Sequence, residues 1–312
     1  MDFESLNTLG KKREPFLFIS DFKAQKLEVI LLKDLPQNDI EFSINEKYKY
    51  KQHPYTFNYA SPDFYKYKKK FDKVIEKICS GETYILNLTQ ETKIETSQTL
   101  KEIYTLANAH YKLRFKDKFV CFSPEKFIQI QENIINTFPM KGTIDASIEN
   151  AYSTIIEDEK EMAEHIMIVD MLRNDLSIVS TNVRVEKFRY ATEIDSGQKR
   201  LLQVSSHISG DLEDNWQDRI GTILKALLPA GSISGAPKKS TLEIIEKVEE
   251  YERGFFSGVF GVFDGESLDS GVMIRFIEKT KTGFIYKSGG GITLDSDVKF
   301  EYKELLDKIY FP

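Results

Sequence analysis

Phe127-Ile-Gln-Ile-Gln-Glu-Asn-Ile-Ile-Asn-Thr-Phe-Pro-Met-Lys-Gly-Thr143 sets an apolar, β-prone run directly against a proline, a lysine and a glycine. It reads as a strand (Phe127 to Phe138) ending in a sharp turn. Proline locks one backbone dihedral and glycine lets the chain approach a ligand closely, so Lys141 is held in place and its stem is aimed into a cleft. Taken alone, Pro139-Met-Lys-Gly-Thr143 is a surface turn with an ordinary lysine, because short motifs recur by chance. Its weight comes from what accompanies it along the chain.

Outward from that stretch the chain alternates strand-like and helix-like segments. Pro15 to Ser20 and Leu27 to Leu32 read as strands within a short N-terminal strand region (1–60) packed on the core. A helix follows, with Ser61 as cap, Pro62 at the first helical position, Asp63 favouring the dipole, an apolar stripe of Phe64, Phe71, Val74, Ile75 and Ile78, and Gly81 as the stop. Glu82 to Thr89 reads as a buried strand, Leu100 to Ala109 as a helix, and Phe119 to Phe122 and the run to Ile130 as strands with Glu125 at the turn between them. Asp158 to Leu176 has the period of a helix, Thr241 to Glu250 is helix-like, and Phe256 to Phe263 and Ser270 to Ile277 are strand-like. No repeat or long linker divides the chain. The fold expected is α+β: a single compact domain of mostly antiparallel sheets packed with helices, its main part spanning 61–312.

Composition narrows the function. At 312 residues a substantial core is available, and 29% charged against 41% hydrophobic residues is the balance of a soluble globular protein. A net charge of -6 leaves no excess of Lys and Arg to neutralise phosphates, so no nucleic-acid partner is expected, despite the Lys/Tyr-rich stretch 48–70. The start Met-Asp-Phe-Glu has no basic region followed by an apolar core, and no uncharged run is long enough to span a bilayer, so the expected location is the cytoplasm, with no membrane partner. Cys79 and Cys121 have no metal spacing and read as buried thiols; neither lies in a Gly-x-Cys-x-Gly setting of a glutamine-hydrolysing nucleophile. His53, His110, His165 and His207 form no i, i+4 pair, which argues against zinc.

Several groups bear chemistry. Glu161 and Glu164 are three apart on one helix face, and Glu301 and Glu304 repeat the device near the end of the chain. Two Glu-x-x-Glu helices together offer hard oxygen ligands to magnesium; each pair alone reads as surface charge. Gly231-Ser-Ile-Ser-Gly-Ala-Pro-Lys238 presents small residues at a helix start, suited to an anion, but is not a P-loop. Arg275 stands among apolar residues and calls for an acidic partner or a ligand. Gly289-Gly-Gly291 permits close approach to a ligand or makes a tight turn.

This ordered set resembles the chorismate-utilising enzymes, and within them most closely the aminodeoxychorismate synthase component I branch. The resemblance rests on Gly81 to Thr89, Ser123-Pro-Glu125, Pro139 to Thr143, Ala163 to Asp175, Gly231 to Lys238, Ile274-Arg275 and Gly289 to Glu304, in the family's order from about residue 60 onward. It implies an anthranilate synthase component I-like fold. It also implies that Lys141 is a nucleophile whose neutral amine attacks C2 of chorismate as the C4 hydroxyl leaves, ammonia then entering at C4 and expelling the lysine, and that Glu125 is the general acid. Glu164 and Glu304 fall on the Mg2+ ligand positions, with Glu161 and Glu301 as supports. Gly142, Thr143, Ser232, Arg275, Gly289, Gly290 and Gly291 fall on the substrate-binding run.

Within the family, anthranilate synthases usually carry alanine at the position of Lys141, and isochorismate and salicylate synthases carry a lysine where this chain has Ile85. Both differences favour amination at C4. The chain departs from the family at Phe256, where a tyrosine is common, and at Gln203, where a histidine is frequent. The implied partner is a glutamine amidotransferase subunit supplying ammonia, and the implied product, 4-amino-4-deoxychorismate, leads to 4-aminobenzoate and folate. No tryptophan site is expected. The alternatives are an anthranilate or isochorismate synthase of the same family, a non-catalytic anion-binding protein, and a scaffold subunit without activity.

Overall fold

The computed structural model describes residues 2–46, 55–195 and 200–311; His53 and the first part of the Lys/Tyr-rich stretch lie outside them. Helix α1 (Phe3–Lys11) opens the chain behind a capping box formed by Asp2 and Ser5. A reading of 1–60 as strands alone omits it, because its buried stripe is only Phe3, Leu6 and Gly10. Strands β1 (Phe16–Ser20), β2 (Leu27–Leu31), β3 (Ile40–Ile44) and β4 (Phe57–Tyr59) follow. Helix α2 (Phe64–Cys79) is capped by Asp63, whose carboxylate accepts from Lys66 N, and not by Ser61, which lies two residues too early. It stops where expected, at Gly81 with φ +75°. Cys121 is a buried thiol as expected, but Cys79, at the exposed end of α2, is not.

Next come β5 (Ile85–Thr96), α3 (Leu100–Leu106), β6 (Tyr111–Phe115), β7 (Phe119–Ser123), β8 (Lys126–Gln131), β9 (Ile134–Thr137) and β10 (Met140–Asp145). The run Phe127 to Phe138 is thus two strands, not one. Glu132 and Asn133 both have positive φ, 50° and 60°, and form a two-residue hairpin turn with Gln131 opposite Ile134. The motif after it is not a turn either: Met140 to Thr143 belongs to β10, whose register against its neighbour shifts between Met140 and Thr143. The chain continues through α4 (Ala151–Glu157), α5 (Glu159–Ser177), β11 (Thr181–Asp195), β12 (Arg200–Asp211), α6 (Ile220–Leu227), β13 (Gly235–Ala236) and α7 (Lys238–Val248). It ends with β14 (Val259–Phe263), β15 (Leu268–Val272), β16 (Phe276–Thr280), β17 (Gly283–Ile292) and α8 (Val298–Asp307).

Every strand pairing among the described residues is antiparallel. One sheet runs β10-β12-β9-β8-β15-β14-β1-β2 with β11 beside β12, the other β13-β5-β17-β16-β7-β6-β3 with β4 beside β5. Strands from the first sixty residues therefore enter both sheets. Both faces of the central strands are buried. Leu17 and Ile19 pack with Leu113, Phe119, Cys121, Phe260 and Phe276, whereas Phe16 and Phe18 pack on the opposite face with Trp216, Ile220 and Leu224. Val120 and Phe122 turn away from the first group toward Leu100 and Ile103 of α3. The period of two along each strand thus drives the sheets together and leaves their other faces to helices.

Two of the places where the chain passes between the sheets are neighbours. The chain leaves β7 for β8 through Ser123-Pro-Glu125, and leaves β15 for β16 through Met273-Ile-Arg275, where a single strand was expected. Backbone bonds tie the two crossings together: Val272 N donates to Glu125 O at 3.0 Å and Phe122 N to Arg275 O at 3.2 Å. A second fastening lies near α7. Buried Arg253 donates to both oxygens of buried Glu249 at 2.8 and 2.6 Å, and also to Ile233 O and Asn87 O, while Glu249 accepts from Thr89 N. This bolts the segment 231–234 to β5.

Replacing Arg253 with Ala leaves Glu249 as an uncompensated buried charge. The expected loss of stability is about 3–5 kcal/mol, read by urea denaturation; a loss near zero would show that the pair does not hold the segment.

Candidate active site

Lys141 is placed by the β10 bulge. Gly142 there has φ +89°, a conformation side chains resist, and a Cβ on it would come within 3.3 Å of Glu161 Oε2. The bulge turns the lysine toward α5, where its Nζ meets Glu164 Oε2 at 2.6 Å. Helix α5 starts at Asp158, whose carboxylate caps Glu161 N, so Glu161 and Glu164 fall on the turns facing the bulge. Helix α8 brings the second pair. Asp297 caps it, Ser296 Oγ donates to Glu301 Oε1 at 2.7 Å, and Glu304 Oε1 meets Lys308 Nζ at 2.6 Å. Lys308 in turn donates to Gly289 O at 2.8 Å. The glycine run is not a turn but the end of β17, paired with Asn87 to Thr89 of β5. A Cβ at Gly290 would lie 3.4 Å from Glu301 Oε2, 3.6 Å from Glu304 Oε1 and 3.7 Å from Lys308 Nζ. The sheet therefore contributes bare backbone to the floor of the acidic cluster.

Glu125 stands at the first crossing and accepts from Ser232 Oγ at 2.5 Å. Burial pushes its carboxyl above the usual carboxylate range, against the pull of Ser232, Arg275 and Lys308. A carboxyl group whose proton affinity is raised suits a proton donor. Arg275 occupies the second crossing with φ +53°. Among the described residues it has no acidic partner within ion-pair distance; its Nε donates to Tyr310 OH at 3.3 Å. The other half of the expectation for this arginine, a ligand, is left.

The four glutamates are not equivalent. Burial raises Glu161 and Glu301, Glu161 also through its neighbour Glu164. Burial works against the charge on Glu304 too, but Lys308 outweighs it and lowers that carboxyl. For Lys141, burial favours the amine, yet Glu164, Glu161 and Glu304 overcome it and hold the group protonated. The carboxylate of Glu164 thus favours the ammonium form of Lys141 in this arrangement.

Glu161 Oε2 and Glu301 Oε2, one from each helix, are buried without a hydrogen-bond donor. An all-oxygen donor set with two orphaned carboxylate oxygens fits a hard divalent cation. Among the described residues no three acidic, histidine or cysteine side chains converge on one point; Lys141 pairs with Glu164 and Lys308 with Glu304 in this arrangement.

Other expected residues are less central. Thr143 is exposed and faces Gln203 across β10 and β12, so Gln203 adjoins the motif. Phe256 is buried in the inter-sheet core beside Phe276. The anion reading of 231–238 is not supported: Lys238 closes on Asp175 at 3.0 Å and on Leu227 O, and Pro237 at the helix start has no N–H. Sequence reasoning missed Lys308, although its spacing of four from Glu304 was visible, because that spacing is common on exposed helices. A cleft of about 640 Å³ lies elsewhere, between α1 and α6, and holds none of these groups.

The profile of a family described as chorismate binding enzyme matches residues 16–312. The chain is 45% identical over 313 residues to an "uncharacterized PabA-like protein" of Haemophilus influenzae, covering 99% of this chain and 95% of that one. It is 32% identical over 254 residues to aminodeoxychorismate synthase component 1 of Bacillus subtilis, covering 77% of this chain and 53% of that protein. The crystal structure of anthranilate synthase component I from Streptococcus pneumoniae superposes with a TM-score of 0.69 at 26% identity, over 84% of this chain and 60% of that one.

The raised Glu301 carboxyl makes a pH prediction. Its folded state binds a proton more tightly than the unfolded chain, so it subtracts stability as pH rises from the ordinary carboxyl range through its folded value. Glu301→Gln removes that loss. The variant is expected to be more stable than the parent in metal-free buffer at neutral pH by about 1–2 kcal/mol, with the gain shrinking on acidification. Denaturation curves across pH test this, and a gain independent of pH contradicts it.

Proposed function

The chain belongs to the chorismate-binding enzymes, and from that premise we propose that it is the component I of an aminodeoxychorismate synthase, acting in the cytoplasm on ammonia delivered by a glutamine amidotransferase subunit. The observation that carries the reading is an amine, Lys141, set by a strand bulge among the four glutamates. The 32% identity to an aminodeoxychorismate synthase component 1 supports it. No helix among the described residues is long and apolar enough to cross a membrane.

In this reading Lys141 attacks C2 of chorismate as its neutral amine. The C1–C2 and C5–C6 double bonds shift to C1–C6 and C4–C5, and the C4 hydroxyl leaves with a proton from Glu125 as water. Ammonia then adds at C4, the double bonds return, and the C2–nitrogen bond breaks to free the lysine. The proton lost by the attacking ammonia and that held on the lysine nitrogen restore both groups. The sum is chorismate plus ammonia giving 4-amino-4-deoxychorismate plus water. Burial raises the proton affinity of Glu125, which suits it to the acid role, and Ser232 holds its carboxyl in place. Arg275 takes a substrate carboxylate in a two-pronged contact. Gly289 to Gly291 give the ring room. Glu164 and Glu304, with Glu161 and Glu301 in support, would hold magnesium, which when bound would supply charge neutralisation near the ring carboxylate and relieve the Glu164 charge that favours protonated Lys141. The product serves 4-aminobenzoate and folate synthesis.

Incubation with chorismate, magnesium and ammonium at mildly alkaline pH is expected to yield 4-aminobenzoate only after an aminodeoxychorismate lyase is added. Anthranilate or isochorismate as product overturns the assignment. Lys141→Ala is expected to slow C4 amination by about 100-fold or more, and an unchanged rate removes Lys141 as nucleophile. Glu304→Gln is expected to shift the magnesium titration of activity to higher concentration; an unshifted curve excludes it as a ligand.

A further inference from the structure

Arg275 is the cation at the second sheet crossing that no described carboxylate pairs with, and the segment after α8 reaches back over it. Ile309 is buried and the Phe311 ring packs tilted against Phe57 with centroids 4.4 Å apart, so the residues on either side of Tyr310 are anchored. Tyr310 itself is 41% exposed, and Arg275 Nε donates to its hydroxyl at 3.3 Å, with the guanidinium 5.6 Å from the ring centroid. Below it, the buried Tyr286 hydroxyl lies against the Tyr310 backbone N–H without closing a hydrogen bond of good geometry. The two terminal nitrogens of Arg275 carry no hydrogen bond or ion pair to a described residue.

We propose that Tyr310 is a positioning residue for substrate binding: its hydroxyl and ring hold the Arg275 guanidinium by its Nε edge, so that the two terminal nitrogens stay presented together to a carboxylate of chorismate. The inference rests on the family reading of Arg275 as a carboxylate contact. Three observations support it. A guanidinium held at Nε keeps its fork free, and a fork with two parallel donors is what a carboxylate matches. The backbone at Arg275 sits in the left-handed region, which a non-glycine residue keeps only where its surroundings impose it, and the crossing bond from Phe122 N imposes it here. A partly exposed tyrosine whose hydroxyl meets an arginine adds little burial, so its contribution lies in orientation. Tyr310 carries no motif, and its place over Arg275 follows from the docking of α8.

The test measures chorismate binding by the full-length chain at equilibrium with magnesium present, together with steady-state kinetics, for Tyr310→Phe, Arg275→Ala and the double variant. Tyr310→Phe is expected to weaken chorismate binding about fivefold to tenfold, the size of one ordinary hydrogen bond, with the loss falling on KM more than on kcat. In the Arg275→Ala background it is expected to add almost nothing, because the group it holds is gone. Unchanged binding in Tyr310→Phe overturns the proposal. So does an equal loss in both backgrounds, which would make Tyr310 a support of the fold independent of Arg275. Because binding is read apart from the product, a parent chain that binds chorismate but forms anthranilate would overturn the proposed reaction and still decide this one.

Discussion

The architecture depends on the seam where two chain segments pass from one sheet to the other side by side. Two backbone bonds close it, from Val272 N to Glu125 O and from Phe122 N to Arg275 O. Strands of a sheet are held by ladders on both sides, but a crossing residue has lost its own ladder, and its backbone groups must find partners elsewhere. Here each crossing satisfies the other. The consequence is chemical: the residues freed from regular pairing, Glu125 and Arg275, are those whose side chains meet Ser232 and Tyr310 and not an opposite charge. Glu125 is enclosed enough to resist ionising, and Arg275 is cationic without a protein anion.

Around that seam the molecule concentrates charge that would be costly in an ordinary core. Four glutamates, Lys141 and Lys308 share one region, with two carboxylate oxygens left without donors. Burying a charge is tolerable when it is paired, and only Glu164 and Glu304 are. The remaining imbalance, two buried carboxylate oxygens without donors, is held at the expense of stability. The Glu249–Arg253 pair shows the opposite use of buried charge: each oxygen and each nitrogen has a partner, and the result is a fixed loop.

Lys141 illustrates how a group's chemistry is set by its neighbours. Burial alone would free its amine, and a carboxylate at 2.6 Å reverses that. Whatever occupies Glu164 therefore governs whether the lysine is an ion or a nucleophile.

Much was legible in the chain because some signals are local. The α2 stop at Gly81, the Glu-x-x-Glu spacing on α5 and α8, and the antiparallel, helix-covered fold class follow from turn chemistry, helical period and strand alternation, all of which act within a few residues. The motifs in their order pointed to the family. Other features depended on partners distant in sequence. Phe127 to Phe138 looked continuous because hydrophobicity does not reveal where two left-handed residues will fold a hairpin, and Met140 to Thr143 became a bulged strand only because β12 lies alongside. The ion pair between Lys141 and Glu164 was not legible since Glu164 is brought to the lysine by packing of α5 on β10. Lys308 over Gly289 and Tyr310 over Arg275 are contacts across 19 and 35 residues. The sequence by itself determined which residues can do chemistry and which segments are helix or strand, since those properties are carried by side chains and near neighbours. Only the tertiary structure decided which charges meet and which stay unpaired, because electrostatics and burial depend on distances through space.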